Sequence, residues 1–138
     1  MIRQAMPDDV PEIRLLMESV PGFWQSHWSN KTVALAIGGG MAFVWDEGAE
    51  LLGFLCGHDL GFRAYLSELV VAPQRQNQGI GRALVQTLEQ ELSERGQTIL
   101  IADVWRDAIP FYGALGWEAP EAVLLRKRLK SRNPGGAE

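Results

Sequence analysis

A strand, a polar turn and a helix follow one another between residues 65 and 95, and this pattern constrains the fold more than any other. The apolar stretch Tyr65 to Val71 favours a strand that ends before Pro73. A turn with glycines at positions 79 and 81 leads directly into a predicted helix over residues 79–95. Apolar residues recur at helical spacing along it, which predicts one buried face made of Ile80, Leu84, Leu88 and Leu92.

The start of this helix is suited to binding a diphosphate. The first N–H groups of a helix lack backbone partners and lie at the positive end of its dipole. Glycines such as Gly79 and Gly81 let the backbone approach an anion closely because they lack a Cβ. Arg75 and Arg82 flank the turn and would add positive charge.

Two familiar phosphate-binding motifs do not fit this turn. A Walker A loop ends in Gly-Lys-Ser/Thr, whereas Gly81 is followed by Arg82 and Ala83. A dinucleotide fingerprint requires Gly or Ala at the position that Leu84 occupies. An ordinary strand–loop–helix with two incidental glycines is the alternative.

The pattern Gln76-x-x-Gly79-x-Gly81 resembles the pyrophosphate loop of the GNAT superfamily of acetyl-CoA-dependent N-acetyltransferases. The stretch DAIPFYGALGW, residues 107–117, resembles the second GNAT signature, with Tyr112 followed by Leu-Gly-Trp. The resemblance extends from Ile2 to about Leu129. It departs where many members carry an Asn before the tyrosine helix, since this chain has Trp-Arg-Asp at 105–107.

The resemblance implies one α/β domain over residues 1–129, with a mixed, mostly antiparallel and splayed central sheet flanked by helices on both faces. Within it we expect an irregular helical segment in residues 23–37, with Asn30 as a possible cap. We also expect a strand over residues 98–104 and one or two final strands from Trp117 to near Leu129. Residues 130–138 lack apolar side chains and are predicted to form a disordered tail.

Composition narrows the class of protein. The formal charge of −4 argues against a nucleic-acid-binding protein. Cys56 is the one cysteine, which excludes an intramolecular disulfide and fits a reducing compartment. No segment has the pattern of a signal peptide or a membrane span, so we expect a cytoplasmic protein without a membrane partner. His27 and His58 are too sparse to predict a metal site.

Acetyl-CoA, the acetyl donor in GNAT proteins, is the implied cofactor, and no metal is implied. By resemblance, the backbone of Leu69, Val70 and Val71 pairs with its pantetheine arm, and one N–H there polarises the thioester carbonyl. The residues implied to hold the pyrophosphate are Gln76, Asn77, Gln78, Gly79, Ile80, Gly81 and Arg82. Tyr112 matches the family tyrosine that protonates the departing thiolate, and packing beneath its helix is the alternative role.

Glu68 is the acid that we expect to face the amine. Set in an apolar strand, it could act as a base with a raised pKa or anchor a cationic substrate. Alternatively it faces solvent or pairs with an arginine, and Asp103 or a chain of waters takes the proton. A bulge in the strand would turn Tyr65 or Ser67 toward the acceptor instead.

Aromatic residues supply the candidate acceptor site. Trp24 and Trp28 lie in the segment that lines the acceptor pocket of GNAT proteins, and Trp105 could rim its mouth. Core or lid packing is the favoured alternative for any one of these tryptophans and of their neighbours Phe23 and His27.

Together these features predict an N-acetyltransferase that moves an acetyl group from acetyl-CoA to a primary amine of a small molecule, by direct attack in a ternary complex. One alternative is a protein N-terminal or lysine acetyltransferase. Another, from a different class, is a non-catalytic acyl-CoA-binding or sensing domain. A homodimer is compatible with the resemblance, and the sequence does not identify the acceptor amine.

Overall fold

The computed structural model describes residues 1–130, which fall into two units, residues 1–103 and the residues from Val104 onward. The first unit contains, in chain order, β1 (Ile2–Gln4), α1 (Val10–Glu18), α2 (Asn30–Gly39), β2 (Met41–Asp46), β3 (Leu51–Asp59), β4 (Ala64–Val71), α3 (Ile80–Glu94) and β5 (Leu100–Ile101). The second unit contains a 3₁₀ turn (Arg106–Ala108) followed by α4 (Ile109–Ala114).

The strands of the first unit form one sheet in the order β1-β2-β3-β4-β5. The first three pairings are antiparallel, and β4 pairs in parallel with β5. Most of the strand pairing involves the long strands β2, β3 and β4. Short connections join them, and this favours antiparallel pairing of consecutive strands. The predicted mixed, mostly antiparallel sheet is therefore confirmed.

Helix α3 covers one face of the sheet. Two glycines on β3 allow this close approach, since a Cβ on Gly53 would lie 2.8 Å from the Ile80 side chain. A Cβ on Gly57 would likewise lie 2.8 Å from Leu88. The predicted apolar face of α3 is confirmed, because its four residues are all buried.

Helices α1 and α2 cover the other face. Successive side chains of a strand point to opposite faces, so Phe54 and Cys56 point away from α3. The Cys56 thiol lies 3.6 Å from the carbonyl oxygen of Ala36 on α2. On α1 the buried residues Ile13 and Met17 face the sheet. Helices on both faces agree with the predicted fold class.

An ion-pair cluster fastens β1 to its surroundings. The guanidinium of Arg3 donates to both carboxylate oxygens of Asp9, at 2.8 and 2.9 Å, and to Asp46 at 2.8 Å. The Asp9 carboxylate also accepts the Met6 N–H at 2.7 Å. Hydrogen bonds from Arg3 hold the pKa of both Asp9 and Asp46 below its ordinary value.

The second predicted helix is present, but only the part of it from the possible cap at Asn30 onward is helical. The structure begins α2 at Asn30, with Ser29 as its N-cap, and continues it to Gly39. Residues 21–28 form turns instead, because Pro21-Gly22 breaks the chain and the following aromatic rings pack against one another.

Two strand predictions were also wrong: one strand is shorter than expected, and the final strands are not formed. The strand expected over residues 98–104 is confined to Leu100–Ile101. Residues 117–130 contain no strand, and Val123, Leu124 and Leu125 are exposed. An apolar run favours a strand only where a neighbour accepts its hydrogen bonds, and the pattern alone does not supply that neighbour.

The predicted disordered tail, residues 130–138, falls outside the described residues except for Lys130. Across the described part of the chain, no helix combines the length and apolar character that crossing a membrane requires.

Candidate active site

A β-bulge in β4 shapes the centre of the site. Cys56 on β3 pairs with Glu68, but the next residue, Gly57, pairs with Leu66, so Ser67 is an extra residue in β4. The Ser67 hydroxyl donates to the Cys56 carbonyl oxygen at 3.1 Å. As a result two consecutive residues, Ser67 and Glu68, line the same cavity rather than opposite faces.

The bulge that would have put the Glu68 assignment in doubt is present, but it does not turn residue 68 away. Glu68 lines the cavity together with Ser67. Tyr65 instead donates its hydroxyl to the carboxylate of Asp103. Burial, with smaller contributions from the carboxylates of Asp103 and Glu68, raises the pKa of this phenol. A bulge and a retained acid are thus compatible in this strand.

Glu68 carries a strongly perturbed pKa. Burial raises the pKa of this carboxyl from 4.5 to about 7, and the negative charge of Asp103 adds to the shift. Both effects disfavour the ionised form, so the protonated and ionised forms coexist near neutral pH. A carboxylate in this state can take up and release a proton in the same pH range.

The cavity that Glu68 lines has a volume of about 270 Å³ and mostly apolar walls. These walls come from α1, the turns before α2, α2 itself and β3, and consist of Met17, Trp24, Trp28, Val33, Ala36 and Phe54. The polar contribution comes from Thr32, Ser67 and Glu68. A cavity of this kind can hold an apolar body with one polar group directed at β4.

Two of the three predicted acceptor residues meet in this cavity. The rings of Trp24 and Trp28 pack edge to face with centroids 5.5 Å apart. The guanidinium carbon of Arg14 lies 4.7 Å from the centroid of the Trp24 ring. Phe23 and His27 contact Trp28 edge-on, which supports the packing role considered for them. Trp105 belongs to the second unit and is exposed.

Most of the other residues that line the cavity carry no sequence signal for a binding site. Met17 is an ordinary apolar position of α1, and Val33 and Ala36 lie in the part of the second helix that was expected to be helical but was given no function. The spacing of Thr32, Val33 and Ala36 along α2 is a signal for one helix face. That spacing could not distinguish a face that lines a cavity from one that is fully packed.

The predicted phosphate loop leads into α3 through a glycine in the left-handed conformation. Gly79 is the N-cap residue with φ of +88°, in the left-handed region, and Asn77 also has a positive φ of 64°. No side chain caps this helix. Gly81 follows as the second residue of α3, and Arg82 as the third. The first turn thus offers backbone N–H groups to an anion.

The side chains near this loop differ from the expectation in one respect. Arg75, expected to add positive charge at the turn, donates to Gln78 at 2.8 Å and forms an ion pair with Glu47 at 3.2 Å, which offsets that charge. The Gln76 amide donates to the Val71 carbonyl oxygen at 3.2 Å. The loop is therefore ordered by its own side chains.

The edge of β4 is open beyond its start. Within the described residues, β4 pairs with β5 only at Ala64–Leu100 and Tyr65–Ile101. At the other end the Ala72 N–H donates to Leu52 on the β3 side. Because ladder hydrogen bonds alternate along an antiparallel strand, the N–H groups of Leu69 and Val71 point away from β3. They are directed to the edge on which β5 has ended.

Tyr112 is buried in the second unit. Its ring packs edge-on against Phe111 and Trp117, with centroids 5.0 and 5.2 Å away. The Trp117 N–H donates to the Tyr112 carbonyl oxygen at 3.1 Å, and Gly116 has a φ of +91°. The Leu-Gly-Trp sequence thus ends α4 with a left-handed glycine, as helix ends often do.

Cys56 is not prepared for nucleophilic attack. Its thiol is buried, and burial raises its pKa to about 11. The thiol lies 3.6 Å from Nε2 of His58, but the raised pKa keeps it protonated near neutral pH. The described residues contain no cluster of three His, Cys, Asp or Glu side chains that could hold a metal ion.

Comparison with known proteins adds independent information. The Acetyltransferase (GNAT) family model matches residues 11–117. A curated relative, the chloroplastic GCN5-related N-acetyltransferase 2 of Arabidopsis thaliana, is 40% identical over 68 residues. That match covers 47% of this chain and 26% of the relative, so the chain spans about a quarter of that protein's length.

Solved structures share the fold. The ribosomal-protein-S18-alanine N-acetyltransferase of Escherichia coli has a TM-score of 0.75 and 29% identity, covering 84% of this chain and 76% of that chain. The PaiA N-acetyltransferase of Thermoplasma acidophilum, solved with coenzyme A, has a TM-score of 0.77 and 16% identity, with 89% and 92% covered. An aminoglycoside acetyltransferase from an uncultured soil sample has a TM-score of 0.73 and 19% identity, with 95% and 96% covered.

Proposed function

The chain belongs to the GNAT acetyltransferase family, and we propose that it transfers an acetyl group from acetyl-CoA to a primary amine of a small molecule. The observation that carries this proposal is Glu68, a carboxyl with a pKa of about 7 that lines an apolar cavity. A proton acceptor in such a cavity suits an amine, which must lose a proton before or as it attacks a thioester.

Two elements are proposed to bind acetyl-CoA. The first turn of α3 offers backbone N–H groups for the pyrophosphate, with Gly79 in its left-handed conformation and no side-chain cap in the way. The residues from Gln76 to Arg82 would form this cradle. The open edge of β4 offers the N–H groups of Leu69 and Val71 to the pantetheine amides, as an added strand would use them.

Proton transfer at the amine is assigned to Glu68. In its ionised form the carboxylate attracts the ammonium form of the substrate and accepts its proton, directly or through one water molecule. Asp103 supports this role because its charge adds to the raised pKa of Glu68. Binding of both substrates beside β4 would hold the amine next to the thioester, and such positioning can supply a large part of the rate enhancement in a two-substrate reaction.

Tyr112 is proposed as the acid that protonates the departing thiolate. The assignment depends on the family motif, and the buried position in α4 and the ring contacts with Phe111 and Trp117 would fix its orientation. Direct attack in a ternary complex is preferred to an acetyl-cysteine intermediate, because the Cys56 thiol stays protonated at neutral pH.

A protein N-terminus is the second candidate acceptor. The similarity to the ribosomal-protein-S18-alanine N-acetyltransferase, at 29% identity, favours it. The apolar cavity favours the small molecule, since a peptide backbone would bring several polar groups that need partners.

The decisive experiment measures free thiol released from acetyl-CoA in the presence of a panel of small primary amines and of peptides with free N-termini. We expect thiol release that depends on a small amine, and binding of CoA by calorimetry. Release that occurs only with peptides would replace the small-molecule acceptor by a protein. Tight CoA binding without transfer to any amine would instead indicate the acyl-CoA-binding domain.

A further inference from the structure

The chemistry of the acceptor cavity restricts the amine more than family membership does. Six apolar side chains from four elements face a space of about 270 Å³. For comparison, an engineered apolar cavity of roughly 150 Å³ binds one benzene molecule, and ordinary ligand pockets begin near about 300 Å³. The cavity is therefore suited to one ring or a branched alkyl group joined to a short chain.

The charges around the cavity limit the acceptor to one ammonium group. Among the residues that line it, Glu68 is the one charged side chain. The proton of Ser67 is used by the Cys56 carbonyl oxygen, and the Thr32 hydroxyl accepts the Ser29 N–H at 3.0 Å. A second ammonium within the cavity would have no further anionic partner among the lining residues, and an unpaired charge against apolar walls is unfavourable.

The cation beside the Trp24 ring, Arg14, cannot serve as a partner for an ammonium group. Arg14 stacks on the Trp24 ring and is held by Glu18 at 3.2 Å and by Asn30 at 3.1 Å. The Arg14 guanidinium covers one face of the Trp24 ring, and the Trp28 ring packs against Trp24 edge to face. The two tryptophans thus form a rigid aromatic wall, which favours contact with an apolar or aromatic group over a polyhydroxylated one.

We propose that the acceptor is a small monoamine, in which a short chain joins the amine to a compact apolar or aromatic body seated between Trp24, Trp28 and Met17. The amine is directed at Glu68, and the rest of the molecule replaces water from the apolar walls. This inference rests on the proposed function, and it excludes polyamines and aminosugars as preferred acceptors.

The first test compares three amines with the unaltered protein and acetyl-CoA, namely 2-phenylethylamine, 1,4-diaminobutane and glucosamine. We expect kcat/KM for 2-phenylethylamine to exceed the other two by at least tenfold, mainly through KM. A preference for the diamine, the aminosugar or an N-terminal peptide would overturn the inference but leave acetyl transfer intact. Absence of transfer to every amine would overturn the proposed function as well.

The second test changes the charge of the cavity without disturbing its helix. Thr32→Asp keeps an acceptor for the Ser29 N–H in the first turn of α2, where a carboxylate is favourable. The added charge should raise the ratio of 1,4-diaminobutane to 2-phenylethylamine turnover at least tenfold. Leu35→Asp, on the same helix at a side chain that is 79% exposed, is the matched control and should leave the ratio unchanged.

The third test fills the cavity. Ala36→Trp should raise KM for 2-phenylethylamine at least tenfold while CoA affinity, measured by calorimetry, stays the same. Leu35→Trp adds the same ring to the exposed side of α2 and should not change KM. Equal KM values in the two variants, with unchanged melting temperatures, would show that the amine binds elsewhere.

Discussion

The pH dependence of acetyl transfer tests the role of Glu68 directly. Its pKa of about 7 means that roughly half of the carboxyl is ionised at pH 7 and about one tenth at pH 6. If the ionised carboxylate accepts a proton from a bound ammonium, log(kcat/KM) should rise with a slope of one up to about pH 7. It should fall again near the pKa of the amine, about 10 for an alkyl amine. Glu68→Gln should remove the ascending limb and reduce kcat/KM by roughly 10²- to 10⁴-fold.

The assay is initial-rate thiol release between pH 5 and 10, with two acceptors whose amine pKa values differ by at least one unit. Glu89→Gln is the matched control, because burial also raises the pKa of Glu89 on α3, away from the acceptor cavity. It should keep both limbs. Asp103→Asn should shift the ascending limb to lower pH, since the Asp103 charge adds to the shift. A single ascending limb that follows the pKa of each amine and persists in Glu68→Gln would refute this reasoning, because the enzyme would then capture amine that is already neutral.

Three further predictions concern the cofactor loop, the second unit and stability. Gly81→Asp should weaken CoA binding at least tenfold in calorimetry, because it places a Cβ and a negative charge beside the phosphates. The control Gly39→Asp, which has open space around its Cβ, should not change the affinity, and unchanged affinity in folded Gly81→Asp would show that the loop does not bind the phosphates. Tyr112→Phe should lower kcat by roughly 10²-fold with little change in CoA affinity, and unaltered single-turnover rates would assign Tyr112 to packing. Asp9 has a pKa below its unfolded value of 3.8, so its ion pair with Arg3 stabilises the fold above about pH 4 and is lost on further acidification. Asp9→Asn should therefore cost on the order of 1 kcal/mol at pH 7 and flatten the acid dependence in urea titrations at several pH values, whereas parallel acid profiles would contradict this account.

Local sequence patterns correctly predicted the elements that depend mainly on neighbouring residues, such as helix α3. The glycines and the helical spacing that follow Val71 placed α3 to within one residue at each end. The family motif then identified the sheet, which the structure confirms. Trp24 and Trp28 were singled out because their segment lines the acceptor pocket of GNAT proteins, and both line the cavity, although the helix begins only after them.

Features that depend on pairing between distant segments could not be predicted. Arg75 forms an ion pair with Glu47, 28 residues away, and no local pattern indicates that contact. The cavity draws on Met17 and Phe54, which any sequence analysis would assign to an ordinary core. The apolar run near Val123 predicts a strand, but the structure has none there, because a strand forms only where a neighbouring strand accepts its hydrogen bonds.

The bulge in β4 shows why pairing matters for the proposed chemistry. Under strict alternation, Ser67 and Glu68 would point to opposite faces of the sheet, and one of them would face α3. The extra residue places both on the cavity side, and it does so just after Tyr65, where pairing with β5 ends. The acid that would accept the amine proton and the open N–H groups that would bind the donor therefore lie within a few residues of each other on one strand. Regular pairing from Gly53–Val71 to Cys56–Glu68 places Glu68 on the cavity side and the Leu69 and Val71 N–H groups on the free edge, and the bulge adds the Ser67 hydroxyl beside the acid.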